Sequence, residues 1–102
     1  MAYNVVLEQT AIDDLDKAVA YHIQFSLSKA RRVENEMSKA VSTLEHNPYF
    51  MFRYDDVRCL PLGKKLPYML HFTIDEATKT VFVFALFNTL QNPDKYPPSS
   101  SV

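Results

Sequence analysis

Two neighbouring strand-like runs in the second half of the chain most constrain its fold. They span residues 65–75 and 80–88, and the short polar segment Glu76-Ala77-Thr78-Lys79 separates them. Two such runs joined by a short polar turn predict an antiparallel β-hairpin. In the second run both alternating sets of side chains are mostly apolar, which is typical of a central strand covered on both faces. The hairpin therefore predicts a sheet that needs partners on both of its faces.

The first run of the hairpin assigns its side chains to two faces. One face carries Tyr68, Leu70, Phe72 and Ile74, and the other carries Met69, His71 and Thr73. Because side chains alternate between the two faces of a strand, we expect the first set to lie under helices. Two helices cover only one face, so the C-terminal tail, a second copy or another chain should cover part of the other.

The first half of the chain predicts one strand followed by two helices. A period-two run at residues 3–8 indicates the strand. Helix one should begin at an N-cap on Thr10, with Asp13 completing a capping box. Ser28 is the expected N-cap of helix two, which Asn47-Pro48 should end because proline lacks a backbone donor. The apolar stripe by which helix one is expected to face the core is Ile12, Leu15, Val19 and Ile23.

These elements predict an α+β fold, with an N-terminal strand, an α-hairpin and then an antiparallel sheet that carries both helices on one face. Residues 49–62 should hold a loop or edge strand and then a strand from Val57 to Leu62. We expect a single domain over residues 1–97 and a flexible, proline- and serine-rich tail over residues 98–102.

Composition excludes several classes of protein. The chain has 102 residues, a formal net charge of -1, one cysteine and one glycine. This length suits one domain, and the charge argues against a strong stand-alone nucleic-acid binder. A lone Cys59 forms no internal disulfide, and no apolar run is long enough to span a membrane, so we expect a cytoplasmic protein. The three histidines lack metal-ligand spacing, and we expect neither a metal nor a cofactor.

Several short motifs, in their order along the chain, resemble those of one protein family. They are Ala11-x-x-Asp14-Leu15, Leu44-x-x-Asn47-Pro48, Arg58, Leu66-Pro67-Tyr68 and Ala85-Leu86-Phe87-Asn88-x-x-x-Asn92-Pro93. Together they resemble the RelE/ParE toxins of type II toxin–antitoxin systems, over nearly the whole chain. The resemblance implies a growth-inhibiting toxin of the plasmid-stabilisation kind that a cognate antitoxin neutralises. The family includes ribosome-dependent mRNA endonucleases and gyrase inhibitors.

The endonuclease branch of the family implies a set of catalytic residues. RNA cleavage through the 2′-hydroxyl requires proton transfer and cationic stabilisation of the transition state. If the chain is an endonuclease, Arg58 should hold phosphate, His71 should transfer a proton, and Asn88, Gln91 and Tyr96 should position the RNA. However, Asn88 and Gln91 stand where many relatives carry histidine and arginine, and Met69 stands where that branch tends to place another arginine. Asparagine and glutamine carry no positive charge, so the ParE-like branch fits better.

Two contact surfaces follow from these interpretations. The target-contact residues are predicted to be Arg53, Lys64, Lys65 and Tyr54, although Asp55 and Asp56 lie in the same run and could neutralise it. The antitoxin should lay an amphipathic segment on the apolar sheet face, or add a strand at the sheet edge. The predicted antitoxin contacts on that face are Met69, Phe82, Phe84 and Leu86.

The leading hypothesis is a toxin that binds a macromolecular target. The ribosome with its mRNA or DNA gyrase is the candidate target, and the chain should form a homodimer or a hetero-oligomer with its antitoxin. An mRNA endonuclease and a degenerate, non-toxic interaction module are the alternatives.

Overall fold

A computed structural model describes residues 2–63 and 65–90 of the chain. Its elements are β1 (Asn4–Leu7), α1 (Gln9–Ile23), α2 (Leu27–His46), β2 (Phe52–Tyr54), β3 (Val57–Pro61), β4 (Tyr68–Asp75) and β5 (Thr80–Asn88). The described strands form one sheet in the order β1-β5-β4-β3-β2, in which only β1 and β5 are parallel. The predicted α+β fold is confirmed. Lys64, Gln91, Tyr96 and the predicted tail at 98–102 lie outside the described residues.

The two helices differ from their predicted starts. Helix α1 has Glu8 at its N-cap, and no side chain caps it, so the capping box expected at Thr10 is wrong. Helix α2 is capped by Ser26, whose Oγ accepts a hydrogen bond from the Lys29 backbone N–H at 3.2 Å, and not by Ser28. The predicted end of α2 before Asn47 is confirmed.

The hydrophobic stripe of α1 also shifts near its end. Ile23, which the sequence predicts in the core, is 54% exposed, whereas His22 is buried. Helix α1 ends at Ile23, and the chain turns there through backbone hydrogen bonds from Phe25 and Ser26 to the His22 carbonyl. Ile23 therefore adds an exposed apolar side chain to the surface of the α-hairpin.

A β-bulge in the central pair of strands changes the face of several side chains. Ala85 on β5 pairs with His71 on β4, and Val83 pairs with Phe72. Phe84, between Val83 and Ala85, is therefore the extra residue. Two polar side chains of α1 bond to the backbone beside this bulge. The Thr10 hydroxyl donates to the Phe84 carbonyl at 2.6 Å, and the Asp14 carboxylate accepts from the Leu86 N–H at 3.1 Å. Because a bulge disrupts the ladder, these bonds satisfy local backbone groups and attach α1 to β5.

The sheet separates two groups of buried side chains. The helix-side core includes Val33, Leu44, Leu70, Phe72, Val81, Val83 and Leu86. The second cluster lies on the opposite face and contains Val57, Cys59, Met69, Phe84 and Ala85, with Tyr54 packed against it. The expectation that β5 is central and covered on both faces is therefore confirmed.

The placement of Leu86 on the open face is wrong. The extra residue at Phe84 inverts the alternation, so Leu86 joins the helix-side core and is only 5% exposed. Met69 and Phe84 do lie on the opposite face, but both are buried in the second cluster. Of the four predicted antitoxin contacts, Phe82 alone is partly exposed.

Candidate functional site

Arg58 is held in an aromatic setting at the edge of the sheet. Its Nη1 donates a hydrogen bond to the Phe50 carbonyl at 2.7 Å. Its Cζ lies 4.0 Å from the centre of the Phe52 ring and 5.3 Å from that of the Tyr49 ring. An arginine over an aromatic ring gains cation–π attraction. The guanidinium thus stabilises the segment that leads into β2.

His71 occupies a different environment, in the middle of the sheet. Its side chain is fully buried, and its Nδ1 shares a 3.0 Å hydrogen bond with the Tyr54 hydroxyl. The rings of Phe84 and Phe87 also contact the imidazole. Burial, with a smaller contribution from the Arg53 charge, lowers the pKa of His71 to about 4. His71 is therefore neutral at pH 7 and enclosed, so its expected position on an open face is wrong.

The structure does not bring Arg58 and His71 together. Arg58 pairs with Phe72 of the helix-side core, while its neighbour Cys59 pairs with His71 and belongs to the second cluster. Successive residues of a strand point to opposite faces. The sheet therefore separates the guanidinium from the imidazole, and the predicted pair of phosphate contact and proton-transferring group is not assembled.

The predicted target-contact residues are also divided. A register shift in β2 places Arg53 and Tyr54 beside the second cluster, where Arg53 Nη2 lies 3.5 Å from the sulfur of Met69. Arg58 stacks on the other side of the sheet, and Lys65 is exposed in the loop before β4. The side chains that the structure does bring together are those of Arg53, Tyr54 and His71. Sequence alone missed this group because the shift in β2 sets its geometry.

Asn88 ends β5 and lines a cleft at the end of the sheet. Its Oδ1 accepts a hydrogen bond from the Leu90 N–H at 2.9 Å, which holds the turn after the strand. The cleft has a volume of about 650 Å³ and lies where the end of α1 meets β4 and β5. Its size falls within the range of ligand pockets in proteins.

A buried histidine and tyrosine form part of the cleft wall. The Nε2 of His22 and the Tyr68 hydroxyl are 2.8 Å apart. Burial, and secondarily the charge of Lys29, lowers the pKa of His22. Lys17 and Lys29 also line the cleft. Helical spacing alone did not predict this cleft. The exposed apolar residues around the α-hairpin turn are a sequence signal that could have indicated it.

The described ranges, 2–63 and 65–90, hold no candidate metal cluster and no candidate membrane span. No group of three or more histidine, cysteine or acidic side chains there could hold a metal ion. None of the helices in the same ranges is both long enough and apolar enough to span a bilayer.

Comparison with known families connects this fold to toxins. Residues 5–93 match the model of the ParE toxin of the type II toxin–antitoxin system parDE. The chain belongs to the ParE toxin family. No curated protein sequence matches it. The match extends from the second residue of β1 to beyond β5, so it includes every described element except the first residue of β1.

Solved structures share the ParE-like fold. The chromosomal ParDE toxin–antitoxin system of P. aeruginosa matches with a TM-score of 0.71 and 15% identity, over 85% of this chain and 96% of that chain. The RelBE2 toxin–antitoxin complex of Mycobacterium tuberculosis matches with a TM-score of 0.60 and 20% identity, over 86% of this chain and 99% of that chain. A mutant of the E. coli toxin RelE in the free state matches with a TM-score of 0.60 and 16% identity, over 84% of this chain and 82% of that chain. At these identities the similarity establishes the fold alone.

Proposed function

We propose that this ParE-family toxin arrests growth by binding a macromolecular target and does not cut RNA. The observation that carries the proposal is the separation of Arg58 and His71 by the sheet. An RNA-cleaving site needs a proton-transferring group and a cation converging on one phosphate. These two residues, the natural candidates, cannot converge in this fold.

The chemistry of His71 supports the same conclusion. Its pKa of about 4 leaves the imidazole neutral near pH 7 and only weakly basic, and its burial keeps it from solvent. Asn88 adds no proton-transferring group, and its side-chain oxygen is engaged with the Leu90 N–H. DNA gyrase is the first candidate target because the ParE-like branch fits the sequence better than the endonuclease branch.

Induced expression in bacteria, with newly made DNA and protein labelled separately, tests this function. We expect growth to stop, DNA synthesis to fall first and cellular mRNA to stay intact. Prompt loss of translation with cleaved mRNA would establish the endonuclease instead. Normal growth in the presence of soluble protein would favour the non-toxic interaction module.

Substitution of Arg58 separates a structural from a catalytic role. Arg58→Ala removes a charged hydrogen bond and the cation–π contacts with Phe52 and Tyr49, so we expect it to lower the free energy of unfolding by about 1–2 kcal/mol. Urea denaturation would measure this loss, with the exposed Arg31→Ala as the matched control. Growth arrest should persist at temperatures where the variant is folded. Complete loss of arrest in a folded Arg58→Ala protein would contradict the proposal.

We also propose that a cognate antitoxin neutralises the toxin, since the similar ParDE and RelBE2 structures are toxin–antitoxin systems. Because Met69, Phe84 and Leu86 are buried, the edge of the sheet is the better docking route. Within the described residues, β1 pairs with β5 alone. Asn4 and Glu8 donate their N–H groups toward β5, so those of Val5 and Leu7 point away from it. An antitoxin strand could pair there, as in β-augmentation.

Co-purification of the toxin with the product of the adjacent gene tests the antitoxin proposal. We expect a stable complex in which amide hydrogen exchange slows at Val5 and Leu7. A complex that leaves exchange along β1 unchanged would place the antitoxin elsewhere.

A further inference from the structure

The turn of the α-hairpin exposes an unusual group of large apolar side chains. The tip surface consists of Tyr21, Ile23, Phe25 and Leu27, which are 52–74% exposed. The Tyr21 and Phe25 ring centroids lie 5.4 Å apart, so the two aromatic side chains form a joint surface. Single exposed apolar residues are common, but four within residues 21–27, two of them in ring contact, indicate an interaction site.

The tip surface continues into the cleft at the end of the sheet. Tyr21 lines the cleft and contacts the ring of His22, which in turn bonds to Tyr68. The opposite wall includes Leu90, which is 82% exposed. The result is an apolar ridge beside a concave surface, a shape that accommodates side chains projecting from a partner.

The charges around this surface define the partner further. Lys17 and Lys29 line the cleft, and neither forms an ion pair within the described residues. Among the described lining residues Asp14 alone is acidic; it accepts the Leu86 N–H, and the Lys17 charge acts on it. The described lining therefore carries two cations against one carboxylate, beside apolar groups, which complements carboxylates flanking aliphatic side chains.

We propose that the tip surface and cleft dock an acidic, aliphatic surface of the protein that the toxin inhibits. This inference rests on the proposed function and names the chemistry of its target. A protein partner fits better than a nucleic acid because Ile23 and Leu27 cannot stack on bases, and the chain has no net positive charge.

Growth arrest on induced expression tests the inference directly. Phe25→Asp and Lys29→Glu place negative charge on the tip surface, and each should raise the amount of toxin needed for arrest by roughly tenfold or more. The matched controls are Met51→Asp, at an 87% exposed residue, and Lys39→Glu on the same helix as Lys29. The controls should arrest growth like the unaltered chain. Thermal unfolding of each purified protein confirms that it is folded.

Phe25→Leu distinguishes a protein from a nucleic acid. It keeps an apolar side chain but removes the ring, so docking to a protein predicts near-normal arrest and base stacking predicts its loss. Loss of arrest in folded Phe25→Leu would overturn the inference in favour of a nucleic acid.

The remaining outcomes are equally decisive. Unchanged arrest by Phe25→Asp and Lys29→Glu, or an equal defect in the controls, would overturn the inference and leave the proposed function intact. If the two variants still arrest growth but escape the antitoxin, the surface belongs to the antitoxin and the inference is wrong. If Phe25→Asp does not fold, the growth arrest caused by Lys29→Glu, a change at an exposed residue, decides whether the inference holds. If the unaltered chain causes no arrest, the proposed function fails and the inference fails with it.

Discussion

The imidazole of His71 contacts three aromatic rings, those of Tyr54, Phe84 and Phe87. Removing an imidazolium from water is unfavourable, so burial favours the neutral form and lowers the pKa. The neighbouring Arg53 charge acts in the same direction. A residue type often associated with proton transfer is here a neutral part of a packed cluster.

This environment predicts that acid destabilises the protein. Below about pH 6.5 the unfolded chain binds a proton at His71, whereas the folded chain does not do so until about pH 4. Stability is therefore fully present above pH 6.5 and falls as the pH decreases through this window, by on the order of 3 kcal/mol. Urea denaturation at several pH values would measure it.

A variant separates His71 from the other acid-sensitive groups. The pKa of His22 is also lowered, so part of the slope should remain without His71. His71→Asn can keep a hydrogen-bonding atom for Tyr54 but cannot titrate, and we expect a shallower loss of stability in acid. Equal slopes for the two proteins would show that His71 is not the source.

At the scale of secondary structure, the bulge between β4 and β5 decides which side chains form the core. The extra residue, Phe84, places Leu86 under the helices. Helix α1 then bonds to the backbone on both sides of Ala85, through Thr10 and Asp14. The bulge therefore joins the two layers of the fold as well as reorienting one strand.

Two truncations on β5 test this register. Leu86→Ala should lower the free energy of unfolding by about 2–4 kcal/mol because it leaves a cavity in a packed core. Phe82→Ala removes a larger but partly exposed side chain and should cost less. Urea denaturation of both variants would compare them. A larger loss in Phe82→Ala than in Leu86→Ala would indicate that the strand lacks the bulge.

At the scale of the whole molecule, the first strand closes the fold. β1 pairs with β5, from Asn4 opposite Thr80 to Leu7 opposite Val83. The Tyr3 and Tyr49 hydroxyls are 2.7 Å apart, and the Tyr49 hydroxyl also donates to the Glu76 carboxylate. The bond to Glu76 is the main reason that the pKa of Tyr49 is raised. These contacts join the beginning of the chain to its middle and to the β4–β5 turn.

Deletion of residues 2–7 should therefore affect the whole domain. It removes the pairing of β5 on one side and the packing of Tyr3, Val5 and Leu7 against the helix-side core. We expect loss of the cooperative thermal transition in circular dichroism. Deletion of residues 98–102, predicted from sequence as a tail, is the control and should leave the transition unchanged. Cooperative unfolding without residues 2–7 would show that β1 is dispensable.

Local patterns determined most of the element order. Apolar periodicity predicted the strand, α-hairpin and sheet, and Pro48 marked the end of α2 because proline cannot continue a hydrogen-bonded helix. The apolar residues on both sides of β5 predicted its central place. These features depend on neighbours within a few residues, so a single sequence contains enough information to predict them.

Only the tertiary structure decided the faces and the contacts. One extra residue at Phe84 inverted the direction of Leu86, and the strand alternation put Arg58 and His71 on opposite sides of the sheet. The capping role went to Ser26 and not to the equally suitable Ser28, two residues along. A bulge or a helix start is selected by the packing of distant segments, as the bonds from Thr10 and Asp14 to β5 illustrate. The sequence therefore determined which elements form, and long-range packing determined which side chains meet.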